Sequence, residues 1–147
     1  MVAEERPYRI THADSNITAA ATFGVVWLDL WKFRCPPNMS VILKKGDFFS
    51  AYLVDGADAE VTDPAALVKI EVRDPSERNR VRVFGPANYA RVNEFQDKKL
   101  RATLELKSPV EVKPNAWIVI MTKDDVAIDT ASMANCIFEL FTSRVVS

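Results

Sequence analysis

From Thr22 onward the dominant apolar period is two. "ALVKIEVR" is the cleanest case. Ala66, Val68, Ile70 and Val72 fall on one face, and Lys69, Glu71 and Arg73 on the other. Successive strand residues point to opposite faces, so this pattern predicts a half-buried antiparallel strand, not an amphipathic helix. "MSVILK", "FFSAYLV", "RNRVRVF", "LRATLEL", "PVEV", "AWIVIMT" and "NCIFELFTSRVV" read as further short strands. In "TFGVVWLDLWKFRC" the apolar phase changes: Val26, Leu28 and Leu30 are even, then Trp31, Phe33 and Cys35 are odd. A one-residue phase change flips the faces, which predicts a bulge or bend near Asp29–Trp31. Turn signals part the strands at Lys45-Gly46-Asp47 and at Asp74-Pro75-Ser76-Glu77, the second closing a hairpin. About eight such strands predict an all-β, single-domain antiparallel β-sandwich of jelly-roll type. One stretch departs from the pattern. In "GPANYARVNEFQDKK", Tyr89, Val92 and Phe95 recur at a spacing of three, which predicts a short helix or compact loop.

Two segments echo each other. "FRCPPNMSVIL" and "VEVKPNAWIVI" both place an apolar–polar–apolar triplet before a Pro-Asn pair and an unbroken apolar run after it. Proline fixes φ and cannot donate to a sheet ladder, while asparagine tolerates turn conformations. Pro37-Asn38 and Pro114-Asn115 are therefore expected to turn the chain. The runs Val41-Ile42-Leu43 and Ile118-Val119-Ile120 should be covered on both faces or cross the core. Two such units, about half a chain apart, suit two matching strand keys.

At 147 residues the chain can bury roughly two-thirds of its unfolded surface without staples. No segment nears the apolar length of a membrane span. "MVAEERPYRI" has acids and a proline where a signal peptide needs an apolar stretch, so a cytoplasm-like compartment or an assembled particle is expected. Nineteen basic against twenty acidic residues, with a pI near 5.9, argue against a dedicated nucleic-acid binder. Cys35 and Cys136 both lie in apolar, strand-like runs and read as buried free thiols, with a disulfide between them left open.

Catalytic chemistry is hard to assemble from these residues. The single histidine, His12, lies outside the strands, which leaves no base for a nucleophile. One His and two distant Cys do not make a structural zinc site, and a metal-dependent lyase on a cupin-like barrel lacks its histidines. Asp55, Asp58, Glu60 and Asp63, and separately Asp124, Asp125 and Asp129, form acidic loops without an EF-hand spacing. No cofactor is expected. Two sets of residues are candidates for contacting a partner. Residues 1–21 have no sustained period and read as an N-terminal arm that a partner would order, ahead of a β-sandwich over 22–147; Tyr8, Arg9, Ile10, His12 and Asn16 are its contact candidates. Arg78, Arg80 and Arg82 share one face of the hairpin; they read as a solvated sheet face, or could meet an acidic protein surface or a phosphate backbone. Trp27, Trp31 and Trp117 lie in strand runs; they read as core, or as stacking platforms of a carbohydrate- or receptor-binding module.

The arm, the two Pro-Asn units and the closing strand "CIFELFTSRVV" together resemble the decoration (cement) proteins of tailed-phage heads and, more broadly, viral jelly-roll capsid components. The resemblance implies a non-enzymatic structural protein on the capsid surface, assembled in the host cytoplasm. It implies homotrimers bound to a major capsid protein, with no direct contact to nucleic acid or membrane. It carries no individual functional residue over.

Overall fold

The computed structural model describes residues 4–11, 20–23, 26–46, 48–51, 67–88, 100–123, 128–132 and 139–146. Among them are twelve strands and no helix: β1 (Glu4–Thr11), β2 (Ala20–Phe23), β3 (Leu28–Arg34), β4 (Met39–Leu43), β5 (Phe48–Ala51), β6 (Leu67–Arg73), β7 (Arg80–Asn88), β8 (Leu100–Thr103), β9 (Val110–Val112), β10 (Trp117–Lys123), β11 (Ile128–Ser132) and β12 (Glu139–Val146). The expected strands are present over their described residues; residues 52–54 of "FFSAYLV" and 135–138 of "NCIFELFTSRVV" lie outside them. Of the expected helical stretch, Gly85–Asn88 belongs to β7 and residues 89–99 lie outside the described residues.

Every strand pair is antiparallel, and the pairs follow one rule. β1 pairs with β12, β2 with β11, β3 with β10, β4 with β9, β5 with β8 and β6 with β7. Facing residues are nearly equidistant along the chain from the turn at Asp74–Asn79: Glu4 meets Val146, Arg34 meets Trp117 and Arg73 meets Arg80. The chain is thus one long hairpin, wrapped on itself. Wrapping adds a second set of pairs, β12 with β4 and β5, and β10 with β6. The result is a six-stranded sheet containing β8-β5-β12-β4-β9 with β1 beside β12, a four-stranded sheet in the order β3-β10-β6-β7, and a separate two-stranded β2-β11 sheet. β4 and β5 lie end to end along β12, as β9 and β8 do on their far side. Taking each end-to-end pair as one strand leaves two four-stranded sheets, beside the β2-β11 pair, with jelly-roll connections.

The breaks in those strands face each other. Gly46 takes φ 89°, where a side chain would strain the backbone, and its N–H donates to the Leu104 carbonyl at 2.8 Å. The Pro-Asn echo has the same kind of meaning. β3 leaves the four-stranded sheet through Pro37-Asn38 to become β4 of the other sheet; β9 returns through Pro114-Asn115 to become β10. The two corners lie side by side. The Cys35 N–H donates to Ala116 O at 2.8 Å and the Asn115 N–H to Cys35 O at 2.9 Å. The echo thus marks the point where the two-stranded ribbon bends from one sheet to the other. Its members are paired across the ribbon; they are not copies of a repeated key.

Asn115 sits at φ 66°, a region that asparagine tolerates and β-branched residues resist. Asn115→Val should therefore cost about 1–3 kcal/mol in urea unfolding while Asn115→Gly stays within a few tenths of wild type. Equal losses for both variants would mean that the side chain matters and the backbone conformation does not.

The core lies between the sheets. Trp31, Phe33, Val68, Ile70, Val72, Val83, Ile118 and Ile120 come from the four-stranded sheet; Ile10, Val41, Leu43, Leu104 and Val112 meet them from the other. The period-two reading of β6 holds, with Val68, Ile70 and Val72 inward. The expected bulge is also present. Ile120 faces Trp31 and Met121 faces Asp29, so Leu30 is the extra residue. The expectation of two covered faces holds for β10, where Ile118 through Thr122 are all buried, but only in part for β4, where Ile42 is half-buried.

Part of the segment expected as an arm is a strand of the chain's own sheet. Glu4–Thr11 is ordered by pairing with β12 of the same chain along its whole length, and Ile10, 1% exposed, is in the core. β2 crosses the expected boundary at residue 21.

Candidate interaction surface

The outer face of the four-stranded sheet carries the molecule's densest set of described charges. Lys32 and Arg34 project from β3, Trp117, Val119, Met121 and Lys123 from β10, and Lys69, Glu71 and Arg73 from β6, on the side opposite the core residues of each strand. By register, Arg80 and Arg82 of β7 lie across from Arg73 and Glu71. Asp29 joins them because of the Leu30 bulge. Counted back by two from the inward Trp31, Asp29 would face the core; the extra residue turns it outward.

Arg73 is the hub. It is only 2% exposed, yet its donors all find acceptors. Nη1 and Nη2 each hold one Asp29 carboxylate oxygen at 2.8 Å, a two-pronged pair. Nη1 also donates to Glu77 Oε1 at 3.1 Å, and Nε and Nη2 donate to Glu71 Oε1 at 3.3 and 3.2 Å. The Met121 sulfur completes the shell at 3.2 Å from Nη2. Lys32 bonds Glu77 and lies 4.5 Å from the centre of the Trp117 ring, and Arg34 lies over the same ring at 5.6 Å. Lys69 and Lys123 cap Trp27 in the same way, at 4.5 and 5.4 Å. Beneath this layer Val119 and Met121 are buried on what would otherwise be a wet face.

Two of the carboxylates, Asp29 and Glu77, are held in their ionised forms. The Arg73 hydrogen bonds keep the Asp29 carboxyl below its ordinary range even against partial burial. Lys32 does the same for Glu77, with help from Arg73. A general acid needs the reverse, a carboxyl pushed upward. The cluster therefore suits structural pairing and not proton transfer. Burial pushes the Cys35 thiol up to about 11, so this free cysteine is poorly suited to act as a nucleophile. Cys136 lies outside the described residues. Among the described residues no group of three or more His, Cys, Asp or Glu side chains could hold a metal ion.

The chain is similar in fold to capsid proteins of a bacteriophage. VP17, a capsid protein of bacteriophage P23-77, superimposes with a TM-score of 0.64 at 9% sequence identity, covering 99% of this chain and 97% of that one. The VP16–VP17 complex of the same phage, a complex of its two major capsid proteins, gives a TM-score of 0.59 at 8% identity, with 96% and 98% covered. No protein-family model matches the chain, and no curated protein matches it in sequence. At these identities the likeness is one of fold.

The structure separates the residues that sequence reasoning grouped. Arg78, Arg80 and Arg82 are all exposed on the β6–β7 hairpin. Arg73, which the alternation places on the polar face of β6, is buried beneath them. Tyr8 and Arg9 lie in β1 opposite Thr142 and Phe141. Ile10 is a core residue; His12 and Asn16 lie outside the described residues. Trp31 is core, and Trp27 and Trp117 are half-buried under cations, which argues against free stacking platforms for a sugar. Sequence reasoning missed Asp29, Lys32 and Glu77. The available signal was the unbroken run of β10: Val119 and Met121 needed cover, so the outward face could not be bare.

Proposed function

We propose that this chain is a structural, non-enzymatic subunit of a bacteriophage-type capsid. The observation that carries the reading is the end-to-end fold likeness to VP17, 99% of this chain against 97% of that one. A shell subunit works by burying surface against its neighbours many times over, so modest contacts add up through multivalency and mass action. The ion-paired outer face fits that task, since it offers a rigid surface with its carboxylates already engaged.

Between shell subunit and decoration protein, the shell role is favoured. The similar structures are described as capsid and major capsid proteins, and Glu4–Thr11, the segment a decoration protein would use to reach a neighbour, pairs within its own sheet. Its partners are then further copies and a second capsid protein, as in the VP16–VP17 complex. The test is quantitative mass spectrometry of purified particles, before and after mild denaturant. A shell subunit is abundant and leaves only as the shell falls apart. Release from an intact shell would transfer the chain to the decoration role, and absence from particles would end the capsid reading.

A further inference from the structure

We propose that the β6–β7 hairpin is the docking surface for the acidic segment 52–66 of a second copy of this chain. The inference rests on the capsid reading and names one contact within it.

The hairpin presents cations without free counter-charges. Asp74 already accepts hydrogen bonds from Ser76 Oγ at 2.8 Å, Asn79 Nδ2 at 2.7 Å and the Arg78 N–H at 3.0 Å. Glu77 is taken by Lys32 and Arg73, and Glu71 is buried against Arg73. Arg80 is partly engaged, donating to Glu77 O at 3.2 Å and lying 3.9 Å from Glu71. Arg78 and Arg82 are exposed and form no ion pair among the described residues. β7 is also an edge strand, pairing only with β6 among the described residues. Between Arg80 and Arg82, Val81 is 52% exposed. It borders a cleft of about 320 Å3 whose apolar lining includes Val72, Val110 and Ala116. The edge thus alternates cation and apolar step.

The chain carries the complement of that pattern. Residues 52–66, "YLVDGADAEVTDPAA", hold Asp55, Asp58, Glu60 and Asp63 and no Lys or Arg. Ala57, Ala59 and Val61 alternate with Asp58 and Glu60. These residues lie outside the described ones; laid in extended form along the β7 edge, a sequence of this alternation would turn carboxylates to the arginines and small apolar groups to Val81 and its cleft. Docking joins two different patches, and each copy carries both, so the contact propagates from copy to copy as a shell lattice requires. A nucleic-acid occupant is disfavoured because the chain is net negative, with formal charge −1.

The test uses the full chain in sedimentation velocity. Wild type should self-associate at about 0.05 M NaCl and weaken at about 0.5 M, where exposed charges are screened. Arg78→Glu/Arg82→Glu and Asp58→Lys/Glu60→Lys should each weaken association about tenfold. Mixing the two double variants should restore it, because the charges are exchanged. The substituted arginines are exposed, and unchanged circular dichroism would show that folding is intact; if one variant misfolds, the other double variant and the salt series still decide. No wild-type self-association, or association indifferent to both substitutions, would overturn the contact. Loss of duplex DNA binding in the arginine variant, with wild-type self-association in the acidic variant, would overturn it in favour of nucleic acid. Failure of this contact leaves the particle composition unchanged as evidence, so the two readings fail separately.

Discussion

Arg73→Ala should lower stability by about 3–5 kcal/mol at neutral pH, read by urea unfolding. The guanidinium is nearly inaccessible, and it satisfies Asp29, Glu71 and Glu77 together. Its removal leaves Glu71 buried beside other carboxylates with no cation at contact distance except Lys69, 3.5 Å away, and the exposed Arg80. Uncompensated buried charge costs more than a lost surface pair, which is why the effect should exceed that of Arg78→Ala by several-fold. The pH dependence separates charge from packing. Asp29 and Glu77 have folded values below their ordinary 3.8 and 4.5. Their contribution is therefore complete above those ordinary values and is lost as pH falls through the lower folded ones. The gap between wild type and Arg73→Ala should narrow as pH drops below about 4. A gap that stays constant down to pH ~2 would assign the loss to packing alone.

Trp31→Ala should also cost about 3–5 kcal/mol, lowering the midpoint of thermal unfolding by roughly 10 °C or more. Trp31 is the largest fully buried side chain, 1% exposed, with Phe33 stacked at 6.2 Å between ring centres and 14° between ring planes. It sits just past the Leu30 bulge and opposite Ile120, where the inward phase of β3 begins. The contrast is Trp27→Ala, which removes a half-buried ring and its cation contacts and should cost about 1 kcal/mol. Comparable losses at the two positions would mean that the outer layer packs like a second core.

Much of the local structure was legible because its causes are local. The alternation in "ALVKIEVR" gave β6 and its inward face, and Asp74-Pro75-Ser76-Glu77 gave the hairpin turn, where the Glu77 N–H donates to Asp74 O at 2.9 Å. The phase slip in "VVWLDLWKF" located the bulge to Asp29–Trp31, and the register makes Leu30 the extra residue. The strand at Glu4–Thr11 was not legible, for the same physical reason in reverse. Glu4–Thr11 has little strand pattern of its own, with Pro7 in its middle; it becomes a strand because β12 offers a ladder for all eight residues. Asp29 and Glu77 were invisible as partners of Arg73 because that meeting depends on three separate elements and on the bulge.

The Pro-Asn echo shows where the division falls. From the residues alone, each pair had to end a strand and turn the chain, because proline withholds a ladder donor and asparagine accepts the backbone that a corner requires. The residues did not say how the two corners relate. Similar motifs along a chain suggest repetition, and repetition would have placed them apart in two equivalent keys. Tertiary structure placed them against each other, Cys35 bonded to Ala116 and Asn115, because the chain pairs with itself about the turn at Asp74–Asn79. Local preference determines where a ribbon can bend. Which strand lies beside the bend depends on contacts between residues far apart in the chain, and only the packed sheets decide those.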